Sequence, residues 1–302
     1  MDDGEGREGI NARKDTVYLQ WQRAEGIPSY TGSYVADLYN AEVAPWPRTG
    51  QKGAFVNLAA QEIDDGQILE IAPGGETTVQ HHLYETMIYV LDGRGATTLW
   101  QQGGRRQTVE WQRGSLFSPP LNCYYQHFNL DGGARARLYA ATTAPAAINL
   151  LRDPDFIFDA AHTFSRRYDG QDDFFSNAGQ KVKRGQWKTN FIPDLRAFPL
   201  DPSPYRGANG SSMGFLMSDN ACSVHMSEFP PGTYKKAHRH GAGAHVIILT
   251  GEGYSTIHFE GHTRTKADWK DGSIVSPQHW EYHQHFNTGP TPARYLDRKS
   301  VE

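Results

Sequence analysis

Cysteine is nearly missing from this chain: two in 302 residues, Cys123 and Cys222, each standing alone. That excludes a disulfide framework and any CxxC redox or zinc motif. No apolar run approaches the roughly 18 residues of a membrane-spanning helix. Residues 1–15, acidic and polar, lack the apolar core of a secretory leader and are expected to fray. A basic excess is also lacking. With a formal charge of −4 there is no electrostatic ground for a nucleic-acid partner. The expectation is a cytoplasmic protein with neither nucleic-acid nor membrane contacts.

Glycine, proline and aromatics are plentiful, with 31 Gly, 17 Pro and 15 Tyr. That suits many short strands joined by tight turns. Sliding the chain on itself by 158 positions lays Pro73-Gly74 on Pro231-Gly232, His82 on His240, and Leu91, Gly93 and Gly95 on Leu249, Gly251 and Gly253. The same shift lays Trp111 on Trp269, Gly114-Ser115 on Gly272-Ser273, Ser118-Pro119 on Ser276-Pro277 and Tyr124 on Tyr282. It also puts Gln126-His127-Phe128-Asn129 on Gln284-His285-Phe286-Asn287. So many matches without a gap identify two copies of one domain. More loosely, Arg48 falls on Arg206 in the arms that lead into each copy.

The expected organisation is a first domain over 14–145, a connection over 146–185 and a second domain over 186–302. Short helical turns are expected at 146–152 and 155–162 in the connection, and 166–186 reads as polar and irregular. Within each copy, β-branched and aromatic runs are broken by a GxG hairpin and end at a Ser-Pro. The pattern is all-β, a small barrel or jelly roll with an interior lined by alternate side chains.

Histidines separate the two copies. Side chains two apart on a strand share a face, so His238 and His240 can point at one spot, and His283 on a later strand can join them. In the first copy Gln80 and Tyr125 stand at the positions of His238 and His283, so only His82 remains of the three. The first copy's other candidates are His81, His82, Glu85 and His127. Because His81 and His82 are adjacent, they face opposite ways, and a metal is not expected there. His285 has a counterpart in His127 and reads as structural.

These residues resemble the cupin barrel, and the whole chain resembles a bicupin, an all-β protein of two tandem barrels. The first cupin motif is met by Gly232, His238, His240 and Gly251, with Ala244 or His245 where its glutamate would fall. The second is approximated by Gly272, Pro277, His283 and Asn287, with one extra residue before the histidine and His279 in place of a glycine. The resemblance implies metal ligation by His238, His240 and His283 without a carboxylate. Cupins of that type include the gentisate-type dioxygenases, which hold Fe(II). It therefore implies an iron-dependent dioxygenase, an oxidoreductase that cleaves a carbon–carbon bond in a small, anionic, oxygenated substrate. Two alternatives stand beside it: a redox-neutral Mn, Zn or Ni lyase, decarboxylase or isomerase, and a non-catalytic binding cupin.

Further candidates remain open. His245, unique to the second copy, is a fourth ligand, a base or substrate contact, or a histidine on the barrel exterior. His258 shares a face with Tyr254 and Thr256; if that face is inward it meets substrate, otherwise it is an exposed strand histidine. Tyr282 is an acid or base candidate in the lyase reading and a packing residue otherwise, with Glu281 beside it. Lys235, Lys236, Arg239, Arg294 and Arg298 are anion contacts or solvated charges, and the exposed strand edges suit a homodimer.

Overall fold

The computed structural model of the protein describes residues 15–60, 63–176, 178–204, 207–240 and 244–299. Residues 1–14 and Arg206, the counterpart of Arg48, lie outside them. Two barrels make up the chain, each closed by one large sheet and one three-stranded sheet. Among the described residues no helix is long and apolar enough to cross a membrane.

The central strands Thr86–Asp92 and Ala244–Thr250 are buried on both faces, which is why they read as unbroken apolar runs. From the first, Ile88 and Val90 point into their own barrel while Met87, Tyr89 and Leu91 point at the other. From the second, Ala244, Val246 and Ile248 point inward and Ile247 and Leu249 point across. The two large sheets thus share one apolar core between the barrels.

The repeated motifs have mechanical reasons. In the hairpin glycines Gly93 and Gly251, φ is 88° and 85°, and a Cβ would come 2.7 Å from the Cα of Ala136 or Ala293. Neither strain nor space permits a side chain there. The repeated Gly-Ser pair is a clasp between halves. Ser115 Oγ donates to the Pro193 carbonyl and Ser273 Oγ to the Ala36 carbonyl, each at 2.7 Å. Around these clasps the arms are exchanged: Phe191–Ile192 pairs with Leu116–Phe117 in the first barrel's sheet, and Tyr34–Val35 pairs with Ile274–Val275 in the second's.

Helices form at Ala144–Leu151 and Pro154–Asp159, where the connection was expected to turn. A third, Val17–Glu25, lies in an arm that reads as irregular, and the polar stretch 166–186 contains the start of a hairpin between Gln180–Lys183 and Gln186–Lys188. The signals for Val17–Glu25 are local: Thr16 caps Leu19 N–H, and Gly26 ends the helix in the left-handed conformation. It is held by burying Tyr18 and Trp21.

Candidate metal centre

His238 and His283 meet as an antiparallel bridge, exchanging backbone hydrogen bonds of 3.1 and 2.9 Å. This bridge sets their imidazoles side by side, with ring centroids 4.3 Å apart. His240, two residues on, is anchored by its carbonyl, which accepts from Trp280 N–H at 3.0 Å. Its ring centroid lies 5.0 Å from that of His283 and 5.7 Å from that of His238. One ligating nitrogen from each falls within 4.8 Å of the others. Among the described residues this is the one such group of three His, Cys, Asp or Glu.

The donor set fits a divalent ion. His238 Nδ1 lies 2.9 Å from the Lys236 carbonyl and His283 Nδ1 3.2 Å from the Glu281 carbonyl. A carbonyl only accepts, so each Nδ1 carries the proton and each Nε2 keeps its lone pair for a metal. Two ligands on one ion at about 2.1 Å sit about 3–3.5 Å apart, so side-chain adjustments of an ångström or less close the site. Burial, together with neighbouring imidazoles, pushes the His283 pKa down to about 2, so its ring is neutral. Ala244, fully buried on the inward face, stands at or beside the position of the first motif's glutamate.

The three further candidates from the sequence are not brought to this point. His245 shares the parity of Ile247 and Leu249 and faces the other barrel, its Nδ1 2.6 Å from the Tyr139 hydroxyl. It is 1% exposed among inter-barrel residues, so it is neither a fourth ligand nor a contact inside the second barrel. His258 and Tyr282 fall on the outer face of the small sheet. On Glu252–His258 it is Ser255 and Ile257 that are buried, and on Tyr282–Asn287 it is His283, His285 and Asn287. His258 and Tyr282 stack on each other outside, with Arg239 over the tyrosine ring.

Of the five charges read as anion contacts or solvated, Arg298, Arg294 and Lys235 are instead engaged within the protein, and Lys236 and Arg239 are exposed. Arg298 is 2% exposed, paired with Asp64 at 3.0 Å and bonded to the Thr142 carbonyl, which ties the two barrels together. Arg294 pairs with Glu228 and donates to the carbonyls of Leu195, Arg196 and Phe198. Lys235 is buried, with its ammonium 5.3 Å from the Phe229 ring centroid, whereas Lys236 is exposed and Arg239 pairs with Glu260.

Sequence reasoning missed His225 and Asp297, whose side chains approach to 3.5 Å. Phe229 faces the barrel interior and so does Tyr295; strand parity puts His225 beside the first and Asp297 beside the second. The signal was available in the repeat, since Gln67, the counterpart of His225, lines the interior of the first barrel together with Gln80 and Tyr125.

The first barrel shows what replaces the triad. Tyr125, at the place of His283, is 2.7 Å through its hydroxyl from His82 Nε2, and His82 Nδ1 is 3.0 Å from the Tyr84 carbonyl. His81 stacks on Tyr124, and Glu85 is taken by Arg167 and the backbone N–H groups of Ala221 and Cys222. His127 Nδ1 meets Thr97 Oγ1 at 2.7 Å, as His285 Nδ1 meets Ser255 Oγ at 2.6 Å. Trp111 and Trp269 donate to the same two hydroxyls. The Trp-hydroxyl-His chain therefore recurs with and without a triad beside it, which identifies it as structural.

No family model matches the sequence, and no curated protein matches it. Solved structures do. Bacillus subtilis oxalate decarboxylase, described with Mn(II) centres, aligns with a TM-score of 0.58 and 14% identity over 90% of this chain and 78% of that one. A four-residue variant of the same enzyme aligns at 0.59 and 14% over the same shares. An oxalate decarboxylase described for its substrate binding mode and a switch of reaction specificity aligns at 0.58 and 13%, again over 90% and 78%. The architecture is thus that of a bicupin. These matches overturn the expectation of an oxidoreductase: the neighbours are decarboxylases, not dioxygenases, and the metal named for one of them is manganese, not iron.

Proposed function

We propose that the second barrel is the catalytic unit of a metal-dependent lyase, a decarboxylase of a small carboxylic acid, with His238, His240 and His283 as ligands to one divalent ion. The observation that carries this reading is the convergence of three imidazoles in one of two otherwise parallel barrels. Manganese is the first candidate, because a structural neighbour is described with Mn(II) centres. Nickel and zinc are further candidates for the same nitrogens.

His238, His240 and His283 would hold the divalent ion, which would supply Lewis acidity for a carboxylate. Three neutral imidazoles add no negative charge, so the centre keeps its full attraction for an anionic substrate. The methyl of Ala244 leaves room on the inward face. Loss of CO2 from an acid leaves an electron pair on carbon that must take up one proton. His225, on the interior face with its Nε2 3.5 Å from the Asp297 carboxylate, is placed to hold that proton. A low-dielectric barrel strengthens both interactions by excluding water.

The test is turnover by the manganese-loaded protein on a panel of small mono- and dicarboxylic acids, oxalate first, with CO2 release and dissolved O2 followed together. The expected result is CO2 release without net O2 consumption, abolished by His240→Ala and reduced at least about tenfold by His225→Phe, the usual size of a proton-transfer contribution or below it. Absence of CO2 from every acid, or O2 consumed in step with product, contradicts the reading.

A further inference from the structure

His238 and His240 stand on a segment with few backbone ties. His238 exchanges two hydrogen bonds with His283, and the His240 carbonyl accepts one from Trp280 N–H. Successive side chains of an extended segment point to opposite faces, so Arg239 points out where its two neighbours point in. Whatever fixes residue 239 outside therefore fixes the direction of both imidazoles inside.

Arg239 is fixed by rings. Its guanidinium carbon lies 4.6 Å from the ring centroid of Tyr282 and 5.7 Å from that of Trp280. Tyr282 directly precedes His283, and across the sheet it is paired and stacked with His258, with centroids 5.6 Å apart. The contact thus runs from the segment that carries two ligands to the strand that carries the third. Glu260 adds an ion pair at 3.2 Å, but its side chain is 75% exposed, and such a pair contributes little. A planar guanidinium over aromatic faces is the stronger contact.

Trp280 is an independent sign that the outer face is built for this. Its backbone is left-handed, with φ at 60°, a conformation that Asn adopts readily and a bulky aromatic does not. The counterpart in the first barrel is Asn122, at φ 58°. In the barrel with the triad the turn accepts strain and places an indole beside Arg239. At the position of Arg239 the first barrel has His81, which stacks on Tyr124 with centroids 4.0 Å apart. The arginine and the indole belong to the second barrel alone.

We propose that Arg239 is a positioning residue of the metal centre, clamped outside the barrel by Tyr282 and Trp280 so that His238 and His240 face His283. The proposal rests on the three histidines as ligands, not on the reaction assigned to them. Groups that orient ligands without touching the ion change metal affinity about 10–100-fold.

The experiment titrates the full chain, stripped of metal, with Mn(II), and reads the free ion by electron paramagnetic resonance. The variants are Arg239→Ala, Trp280→Asn and Glu260→Gln, and the urea midpoint of each metal-free protein is measured beside the titration. The expected result is a dissociation constant raised at least about tenfold in Arg239→Ala and in Trp280→Asn, and unchanged in Glu260→Gln. Trp280→Asn puts the first barrel's residue into the left-handed turn, so its urea midpoint should not fall although its metal affinity does. Unaltered affinity in Arg239→Ala or Trp280→Asn, an equal loss in Glu260→Gln, or a loss of affinity matched by a lower urea midpoint overturns the proposal. Failure of the unaltered protein to bind Mn(II) overturns the ligand assignment itself, and the proposal with it.

Discussion

The Tyr125 hydroxyl lies 2.7 Å from His82 Nε2, where in the second barrel His283 faces His240. A phenol takes over the partner role that an ion is proposed to play opposite. The backbone around it is unchanged, since Gln80 and Tyr125 form the same isolated bridge as His238 and His283. The double variant Gln80→His, Tyr125→His should therefore place three imidazoles in the first barrel. Metal analysis is expected to rise from one equivalent per chain to two, and an unchanged stoichiometry would show that the ladder does not suffice to orient them.

Acid should destabilise the protein through its buried histidines. His82 and His127 have native pKa values lowered to about 3 and His245 to about 4, all first by burial. The unfolded chain protonates them near 6.5. Their stabilisation is thus complete above about pH 6.5 and is lost as pH falls toward 4 and then 3, at up to about 1.4 kcal/mol per pH unit for each group. Asp65 works the other way. Burial raises its pKa to about 7, so it favours the fold as pH falls from 7 toward its unfolded value near 4, cancelling about one histidine. Urea midpoints should fall between pH 6.5 and 4, and His127→Gln should flatten that slope. A midpoint constant over this window would contradict the neutral state of these rings.

Arg298 and Asp64 form a buried ion pair between the barrels. Removing one partner leaves a buried charge without its counterion, a loss of about 3–5 kcal/mol. Arg298→Met should lower the urea midpoint accordingly, and the double variant with Asp64→Asn should recover part of it. If the double variant is as unstable as the sum of the singles, the pair is not the coupling that joins the halves.

The duplication and the triad were legible because they rest on spacing. A gapless shift sets barrel against barrel, and the two-residue step of His238 and His240 fixes a common face on an extended segment. His245 was not legible. The strand Ala244–Thr250 is buried on both sides, so its run of apolar residues offers no alternation to tell interior from inter-barrel face. Arg298 near a charged terminus and Lys235 beside Lys236 looked solvated because their surroundings come from distant segments. The arm exchange at Tyr34–Val35 was hidden for the same reason, as two residues of strand carry no pattern of their own. The chemistry was misread where it rested on the likeness of a three-histidine set without a carboxylate to the gentisate-type dioxygenases rather than on the residues that line the barrel.

The most direct measurement is the metal content of the purified protein and of two single variants, by mass spectrometry after loading with manganese and removal of excess. The expectation is one equivalent per chain in the unaltered protein, none in His240→Ala and one in His82→Ala. His82→Ala should instead lose about 1–3 kcal/mol of stability, because the Tyr125 hydroxyl is left without its partner. No metal in the unaltered protein, or equal loss in the two variants, would contradict the assignment of a metal centre to the second barrel.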